Sequence, residues 1–353
     1  MRIATYNVEW FDALFDDDGA LLDDSVPSAR HSVTRAGQIA ALGQVFHAVD
    51  ADAVMVIEAP DQSRRRSTVA ALERFAAHHR LRTSAALIGF ANDSQQEIAL
   101  LYDPAMMVAR HDPGGSMPSL LLGEPDPPFD GALGIDIDND GAVEEVGFSK
   151  PPLEVTLALQ GGGDLRLIGV HLKSKAPYGT RSKAQAVRVS IDNRRKQLAQ
   201  SLWLRRRVVG HLEKGHTLVV LGDFNDGPGL DEYEKLFGRS GLEVVLGWDG
   251  PPDLRLFDPH ARLALGPRRA ALPASSRFYV VQVRRYLSAM LDYVMVSPDL
   301  RALDPQWRIW HPFDDPDCYR DVALREALLA ASDHFPVTVD LPLPASPKAK
   351  DGV

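Results

Sequence analysis

Positions 218–225 read L-V-V-L-G-D-F-N, an apolar run that passes through a glycine into an acid, an aromatic residue and an amide. Four consecutive apolar residues are typical of a strand covered on both faces. Gly222 would let the backbone turn sharply after that strand. Asp223 and Asn225 are two apart, so an extended backbone would place both on one face and Phe224 on the other. This pair could activate a water and hold a phosphate oxygen; an Asx-turn is the alternative.

Several other apolar runs end in side chains of the same chemistry. They read T-Y-N-V-E at 5–9, V-I-E at 56–58, G-V-H at 169–171, L-D-Y at 291–293 and S-D-H at 332–334. Together they supply carboxylates, amides and imidazoles. These are the groups needed to hold a hard divalent cation and cut a phosphate ester.

The first two of these runs suggest a metal side. Glu58 closes an apolar strand, and its companions favour metal binding over a solvated carboxylate. Asn7 and Glu9 are alternate residues and would share a strand face with Thr5. Asn7 could then hold Asp223 in position, and Glu9 could help to bind metal. A purely structural polar face is the alternative.

The remaining runs suggest acid–base chemistry. Asp292 lies inside an apolar run, and a buried carboxylate needs a partner, for which a histidine is suited. Asp333 and His334 are adjacent, so they need a turn to converge; a helix N-cap or a surface ion pair is the alternative. His171 ends its strand just before Lys173 and could stabilise a phosphate or protonate a leaving group. A purely structural histidine is the other interpretation.

The overall pattern alternates strands with helices. Short runs rich in Val, Ile and Leu predict strands at 3–8, 53–57, 86–90, 98–102, 153–159, 165–172, 217–221, 277–283, 290–296 and 336–341. Helical spacing of apolar residues predicts helices at 34–49, 67–79, 183–212, 231–237 and 322–331. This mix predicts an α/β fold in which two sheets pack face to face under helices.

The predicted domain covers residues 1–344. Residues 110–152 and 247–276 are rich in Pro and Gly or Arg, which predicts surface-loop insertions beside the active site. The tail at 345–353 is expected to be disordered.

Composition sets further limits on the class of protein. The chain has 353 residues, of which 45% are hydrophobic, enough for a large core. No apolar run approaches the ~20 residues of a membrane span. We expect a cytoplasmic protein, because the N-terminus reads as a core strand rather than a signal peptide and Cys318 is the one cysteine. The net charge of −9 argues weakly against a sequence-independent grip on nucleic acid, since catalytic carboxylates also lower it.

Two charged stretches have two interpretations each. Basic residues concentrate at 181–207, either as a phosphate-backbone track or as a solvated helix face paired with acids. Lys173 and Arg181 are the best phosphate-binding candidates, because they lie closest to His171 in sequence. Residues 136–141 copy the start of a calcium loop, but Gly147 stands where glutamate would be the twelfth residue, so an acidic turn is the alternative.

Taken in order, these motifs resemble the endonuclease/exonuclease/phosphatase superfamily, the fold of DNase I and exonuclease III. The matching segments span nearly the whole chain and read T-Y-N-V-E, V-I-E, G-V-H-L-K-S-K, L-G-D-F-N-D, L-D-Y-V-M-V-S and S-D-H-F-P-V. The resemblance implies a four-layer α/β sandwich, with two mixed β-sheets face to face, helices outside and the site at one sheet edge.

The resemblance also implies a metal side. Glu58 would be the principal ligand of Mg²⁺ or Mn²⁺, with Ca²⁺ as an alternative. Asn7 and Glu9 would complete the metal side. Asp333 would lie at the metal or phosphate edge.

The catalytic side follows from the same resemblance. Asp223 would orient or deprotonate the attacking water, with Asn225 on the phosphate. His334 would contact the scissile phosphate, with Asp292 as its orienting partner. His171 matches a second active-site histidine, an acid for the leaving group, near which some members carry tyrosine.

The motifs favour the bacterial nuclease-like branch. The tryptophan that inositol phosphatases carry before Gly-Asp-x-Asn is absent here, and L-D-Y replaces their Pro-Ala-Trp-Cys-Asp-Arg motif. We expect a metal-dependent phosphodiester hydrolase acting on nucleic acid. The alternatives are an enzyme of a small or lipid phosphoester and a non-catalytic binding scaffold. A lipid enzyme should expose apolar residues on the insertions, where Phe129, Leu133 and Trp248 are candidates.

Overall fold

A computed structural model describes residues 1–115, 126–137, 141–177, 179–227, 237–266, 272–280 and 284–343. The predicted helix at 231–237, apart from Phe237, and the predicted tail at 345–353 lie outside these residues. The middle of the candidate calcium loop, 138–140, does too.

The strands are β1 (Arg2–Asn7), β2 (Ala53–Ala59), β3 (Ala85–Ile88), β4 (Glu97–Tyr102), β5 (Met107–His111), β6 (Ala132–Ile135), β7 (Glu144–Gly147), β8 (Leu153–Leu159), β9 (Asp164–His171), β10 (Leu218–Asp223), β11 (Ser276–Val280), β12 (Arg285–Ala289), β13 (Asp292–Val296), β14 (Gln306–Ile309) and β15 (Val337–Asp340). The helices are α1 (Arg35–Val49), α2 (Thr68–His79), α3 (Lys183–Leu212), α4 (Gly241–Leu246), α5 (Pro259–Leu265), α6 (Pro298–Arg301), α7 (Pro316–Arg320) and α8 (Val322–Ala331). Short 3₁₀ segments cover Phe11–Leu14 and Pro252–Leu254.

Two mixed sheets form the centre of the protein. The first has the strand order β14-β15-β1-β2-β4-β3, and the second has the order β13-β10-β9-β8-β5. The β1–β2 and β9–β10 pairs are parallel, and the other pairs within these sheets are antiparallel. β11–β12 and β6–β7 form separate hairpins.

Three apolar clusters arrange these elements into four layers. Ile3, Met55, Leu167 and Val219 belong to the cluster between the sheets. A second cluster joins the outer face of the first sheet to α1, α2 and α8, and a third joins the outer face of the second sheet to α3 and α4. The expected α/β sandwich, with helices outside two facing sheets, is therefore confirmed.

Gly222 is required by a close approach between strands rather than by a turn after the strand. It lies inside β10 with φ +139°, and a Cβ there would stand 2.0 Å from the carbonyl oxygen of Val170 on β9. No side chain can occupy that space. The glycine thus brings the ends of β9 and β10 together at the place where His171 and Asp223 emerge.

The two parallel pairs direct their carboxyl ends to one edge. Asn7 pairs with Ile57 at the end of β1–β2, and Asp223 pairs with His171 at the end of β9–β10. β1 packs against both β10 and β13 across the sheet interface. Side chains that follow these strands therefore meet between the sheets.

The predicted insertions contain more regular structure than expected. β6 and β7 lie within 110–152, and α5 lies within 247–276, so the prediction of loops is wrong for these parts. Phe129 is fully buried and packs on Trp203, which removes it as an exposed rim residue. These elements are short and rich in Pro and Gly, so periodicity did not reveal them. Within the described ranges, no helix is both long and apolar enough to cross a membrane.

Candidate active site

Three titratable residues stand side by side across the second sheet. Asp223 on β10 is in register with His171 on β9 and with Asp292 on β13. All three side chains are buried. Nε2 of His171 lies 3.6 Å from Oδ2 of Asp223. The strand pairing therefore builds a row of ionisable groups at the edge where the sheets meet.

Asp223 is held by two amides. Nδ2 of Asn7, on the other sheet, donates to Oδ2 of Asp223 at 3.1 Å, as the sequence suggested. Asn225 donates to the same carboxylate twice, from its backbone N at 2.8 Å and from its Nδ2 at 3.1 Å. These bonds fix the direction of the Asp223 carboxylate.

The extended backbone expected for Asn225 is not what brings it to Asp223. Asn225 has φ 49°, and its N–H closes an Asx-turn on Asp223. The turn and the convergence of the two side chains occur together, so they were not true alternatives. Phe224 is fully buried against Tyr293, as expected for a core anchor.

His334 and Asp292 form the pair that the buried carboxylate required. Nδ1 of His334 lies 2.7 Å from Oδ2 of Asp292. Ser275, which the sequence did not single out, donates to the same oxygen at 2.7 Å and accepts the backbone N–H of Asp292. Because Nδ1 is engaged, Nε2 of His334 is the ring atom left for another partner.

Glu58 emerges from a strained position at the end of β2. It has φ 62°, unusual for a residue with a side chain, and the register with β4 shifts there, between Ile57 and Ala59. Bulges of this kind re-aim a side chain. The carboxylate accepts from Nε2 of Gln96 at 2.7 Å and lies 4.0 Å from Nε2 of His171.

Glu9 does not lie on the strand face where the sequence predicted it. β1 ends at Asn7, so Glu9 lies in the following turn and not on a strand face with Asn7. Its carboxylate is paired with Arg30, whose guanidinium also donates to Leu329 O at 2.9 Å. Glu9 therefore already has a positive partner. Oγ of Ser332 accepts the backbone N–H of Glu9 and that of His334, so it links this turn to the segment of His334.

Lys150 and Gln96 also reach this site, although no sequence motif marks them. Nζ of Lys150 donates to Gln96 Oε1 and lies 3.2 Å from Nδ1 of His171. An ammonium has no acceptor, so Nδ1 of His171 must accept, and the imidazole proton then sits on Nε2. Lys150 thereby aims the N–H of His171 at Asp223 and Glu58.

Strand pairing was the signal that could have found both residues. β4 and β8 run antiparallel to β2 and β9, so their starts meet the ends of those strands. Gln96 immediately precedes β4, and Lys150 lies just before β8. Lys150 lies within 110–152, which the sequence predicts to be a loop insertion, so the sequence does not place it at the site.

Burial changes the protonation of the whole group. Burial, followed by the charge of Asp292, raises the pKa of Asp223 to about 7. Burial opposes the charged form of His334, but the carboxylates of Asp292, Asp223 and Asp333 outweigh it, so its pKa lies well above the ordinary value. Burial and the charge of Lys150 instead hold the pKa of His171 well below its ordinary value. The shifts of the two pKa values are therefore opposite: they favour the charged form of His334 and the neutral form of His171.

The donor set fits a hard divalent cation on the Glu58 side. Oδ1 of Asn7 is buried and has no hydrogen-bond partner among the described residues, and Glu58, which follows its strand partner Ile57, supplies a carboxylate. Burial raises the pKa of Glu58, and the charge of Lys150 opposes this shift. Among the described residues, the ligand atoms of Asp223, Asp292 and His334 lie within 4.8 Å of one another. Since Asp292 and His334 bond each other, we interpret this second group as proton-sharing.

Two phosphate candidates differ in placement. Lys173 is half-buried, and its charge acts on Lys150, which places it beside the site. Arg181 is exposed before α3, and its backbone N–H donates to the side chain of Gln185. Asp333 acts electrostatically on Glu9, Glu58 and His334, so it belongs to the site.

Several arginines of the basic stretch form ion pairs with acidic residues of the same fold. Arg194 pairs with Asp226, Arg195 with Glu144, Arg206 with Asp126 and Arg207 with Glu154. This favours the paired helix face over a phosphate track. In the candidate calcium loop, Oδ2 of Asp136 accepts from the Gly141 N–H at 3.0 Å, as in an acidic turn.

Comparison with known proteins identifies the family. A family model for the endonuclease/exonuclease/phosphatase family matches residues 4–334. The chain belongs to this family. As an endonuclease/exonuclease/phosphatase protein it is a hydrolase of phosphoester bonds, and its chemistry is that of a divalent-metal-dependent family. A search of curated proteins gave no significant match.

Several solved structures are similar to this chain at low sequence identity. A 3'-5' exonuclease (NExo) from Neisseria meningitidis is 16% identical, with a TM-score of 0.49 over 97% of this chain and 99% of its own. An AP endonuclease from Archaeoglobus fulgidus is 13% identical, with a TM-score of 0.48 over 97% and 100%. TDP2 from C. elegans is 13% identical, with a TM-score of 0.48 over 96% and 74%.

Proposed function

We propose that residues 1–344 form one catalytic domain that cleaves phosphodiesters of nucleic acid by in-line attack of water. One observation carries this proposal. The Asp223 carboxylate is fixed by Asn7 and Asn225 and lies beside two histidines, His171 and His334, whose pKa values are shifted in opposite directions. Phosphodiester hydrolysis needs a base for water and positive charge for the phosphate, and this arrangement contains both.

Asp223 would orient and deprotonate the attacking water. Its pKa of about 7 places the carboxylate near the optimum for a general base at neutral pH. Nδ2 of Asn225 has given its hydrogens to Asp223 and to Leu172 O, at 3.1 and 3.0 Å. We therefore assign Asn225 to the positioning of Asp223 rather than to the phosphate.

The two histidines would act in different ways. His334 is held as a cation by Asp292, so its Nε2–H would stabilise negative charge on the phosphate. His171 is kept neutral beside Lys150, so its Nε2–H would serve as a hydrogen-bond donor near the leaving oxygen. A neutral His171 would donate a hydrogen bond to the leaving oxygen instead of acting as an imidazolium acid. This revises the role that the sequence predicts for His171.

Glu58 and Oδ1 of Asn7 would hold the divalent cation, with Asp333 nearby and Mg²⁺ or Mn²⁺ as the proposed ion. When bound, the ion would supply neutralisation of the phosphoryl oxygens. Glu9 would contribute through its pairing with Arg30 rather than as a free ligand. Lys173 would add positive charge at the phosphate, and the exposed Arg181 would contact only a longer substrate.

Nucleic acid is the favoured substrate because exposed cations and rings flank the site on the β11–β12 hairpin. A small or lipid phosphoester is weaker, since one of its three predicted rim residues, Phe129, is buried. A non-catalytic scaffold is not favoured, because every predicted core side chain is present and the central carboxylates and histidines converge.

The test is hydrolysis by metal-stripped protein after Mg²⁺, Mn²⁺ or Ca²⁺ is restored separately. The substrates are plasmid DNA, single-stranded DNA, RNA, bis-p-nitrophenyl phosphate, p-nitrophenyl phosphate and sphingomyelin. Asp223→Ala and His334→Ala should each lower turnover by ~10²-fold or more. Asp340→Ala, at the end of β15 farthest from His334, is the control and should keep it. Folded Asp223→Ala and His334→Ala proteins with wild-type turnover would refute the proposed site.

A further inference from the structure

The β11–β12 hairpin is attached directly to the candidate active site. Ser276 forms an isolated bridge with His334, and the Arg277 N–H donates to Asp333 O at 2.7 Å. Phe335 N donates in turn to Ser275 O at 2.6 Å. The first residues of the hairpin are therefore fixed against the segment that carries the catalytic histidine.

One face of this hairpin presents two exposed aromatic rings. Tyr279 is directly opposite Tyr286, and Arg277 is opposite Ser288, so these four residues share a face, called here the tyrosine face. The two rings lie 5.3 Å apart at 68°. They remain 50% and 55% exposed. Tyrosines paired in this way offer π-surfaces to an incoming ligand.

The tyrosine face also carries a cation without a counter-ion. The guanidinium of Arg277 lies 3.8 Å from the ring centroid of Tyr286 and 5.4 Å from that of Phe313. None of the carboxylates in the described ranges lies within ion-pair distance of it. Arg284, just before β12, is exposed close to this face, and Arg285 is exposed on the other face of the hairpin. In a protein of net charge −9, this local positive charge complements a phosphate chain.

We infer that the tyrosine face binds single-stranded nucleic acid beside the scissile phosphate. This inference rests on the proposed function and narrows its substrate class. Unpaired bases stack on Tyr279 and Tyr286, and Arg277 contacts the phosphates. Tyr279 lies three residues along β11 from Ser276, about 10 Å at the rise of a strand. Exposed rings interleaved with arginine are what a sequence-tolerant single-strand site needs, because every base has a π-face.

Binding by the wild-type protein provides the first test and needs no variant. Fluorescence anisotropy in EDTA would compare a labelled oligothymidylate with an abasic oligomer of equal length and charge. We expect the abasic oligomer to bind roughly 10-fold or more weakly, because it lacks bases to stack. A duplex of the same sequence should also bind more weakly. Equal binding of all three would overturn the inference.

Substitutions locate the binding to the face. Tyr279→Thr with Tyr286→Thr removes both rings while keeping β-branched side chains suited to a strand. We expect about a 10- to 100-fold loss of oligothymidylate affinity. Tyr279→Phe with Tyr286→Phe should restore it. Tyr319→Ala is the matched control, because Tyr319 is 54% exposed on α7, outside the face.

Turnover separates this inference from the proposed function. The Thr double variant should lose at least about 10-fold more kcat/KM on single-stranded DNA than on bis-p-nitrophenyl phosphate. An equal loss on both substrates would overturn the tyrosine face and leave the proposed hydrolysis standing. Failure of the wild type to cleave any diester would refute the proposed function instead. Co-sedimentation with phosphatidylcholine–sphingomyelin vesicles, abolished in the Thr variant, would overturn the inference in favour of a lipid surface.

Discussion

The buried Arg207–Glu154 ion pair and the active-site cluster differ in how completely their polar atoms are hydrogen-bonded. Arg207 donates Nη1 to both oxygens of Glu154 at 2.5 and 2.7 Å and Nη2 to Pro127 O at 2.8 Å, while its guanidinium covers the Phe129 ring. The backbone N–H of Gly114 also donates to the Glu154 carboxylate. In the active-site cluster, by contrast, Oδ1 of Asn7 and Oδ1 of Asp292 are buried and have no hydrogen-bond partner in the part of the chain that the structure describes.

The difference separates structural from functional burial. An unpaired buried polar atom is destabilising. Such atoms also occur outside the site, for example on Gln197 and Trp203, so the active-site cluster is distinguished by the carboxylates and imidazoles that surround its unpaired atoms. The Arg207–Glu154 pair leaves neither side chain with a buried atom lacking a partner among the described residues. It holds α3 on β8. The active-site cluster is held rigidly but incompletely, as a substrate and metal site must be.

The largest expected effect is a loss of stability when the Arg207–Glu154 ion pair is broken. Arg207→Met leaves Glu154 buried without its cation and should lower the free energy of unfolding by about 3–5 kcal/mol. Burial already raises the pKa of Glu154 to about 7, despite Arg207. A carboxyl pKa raised in the folded state makes stability fall as pH rises towards it. In the variant this pKa rises further, so its deficit should grow above about pH 7.

Urea unfolding at several pH values measures that deficit. Glu154→Gln with Arg207→Met is the control, since the amide cannot ionise and the growth of the deficit with pH should disappear. A constant deficit in the single variant would show that Glu154 does not become the uncompensated charge.

The second prediction concerns metal binding by Glu58 in the active-site cluster. Glu58→Gln removes a charged oxygen donor and should weaken metal activation by at least the roughly 10–100-fold typical of a lost outer-shell partner. Titration of turnover and of thermal stability with Mg²⁺ and Mn²⁺ would measure it. Asp61→Asn, shortly after Glu58 in sequence, is the control. Unchanged titration curves would remove Glu58 from the ligands.

A smaller effect concerns the neutral histidine. Lys150→Met removes the donor that fixes the tautomer of His171 and should lower kcat by about 10-fold. Lys150→Arg should restore part of it. Nitrogen NMR of the imidazole should show the proton on Nε2 in the wild type and a mixture in Lys150→Met. A single unchanged tautomer would mean that Lys150 does not position His171.

The smallest effect concerns the exposed cations. Arg181→Ala should change turnover of bis-p-nitrophenyl phosphate by less than about 2-fold, because its side chain contacts none of the described site residues. Lys173→Ala should have the larger effect of the two, since Lys173 lies beside Lys150. The reverse order in steady-state kinetics would show that the phosphate approaches from α3.

The sequence predicted what local pattern determines. Continuous apolar runs predicted most central strands, and α3 and α8 have the predicted bounds, because burial imposes a period that can be read locally. The hydrogen bond of His334 to Asp292 also follows from the high free-energy cost of an unpaired buried carboxylate.

What was missed depends on strand pairing. Lys150 and Gln96 reach the site only because β8 and β4 start where β9 and β2 end. The Arg30–Glu9 pair depends on a turn after β1 that no periodicity marks. Likewise, the exposed tyrosines become a face only once β11 and β12 are in register.

The central claim is that the incomplete cluster performs the chemistry and the complete pair does not. It is tested most directly by metal-dependent hydrolysis of bis-p-nitrophenyl phosphate by Asp223→Ala and Arg207→Met, at a temperature where circular dichroism shows both folded. The account predicts a loss of ~10²-fold or more in Asp223→Ala and near-wild-type kcat in Arg207→Met. Equal losses in both, or full activity in Asp223→Ala, would contradict it.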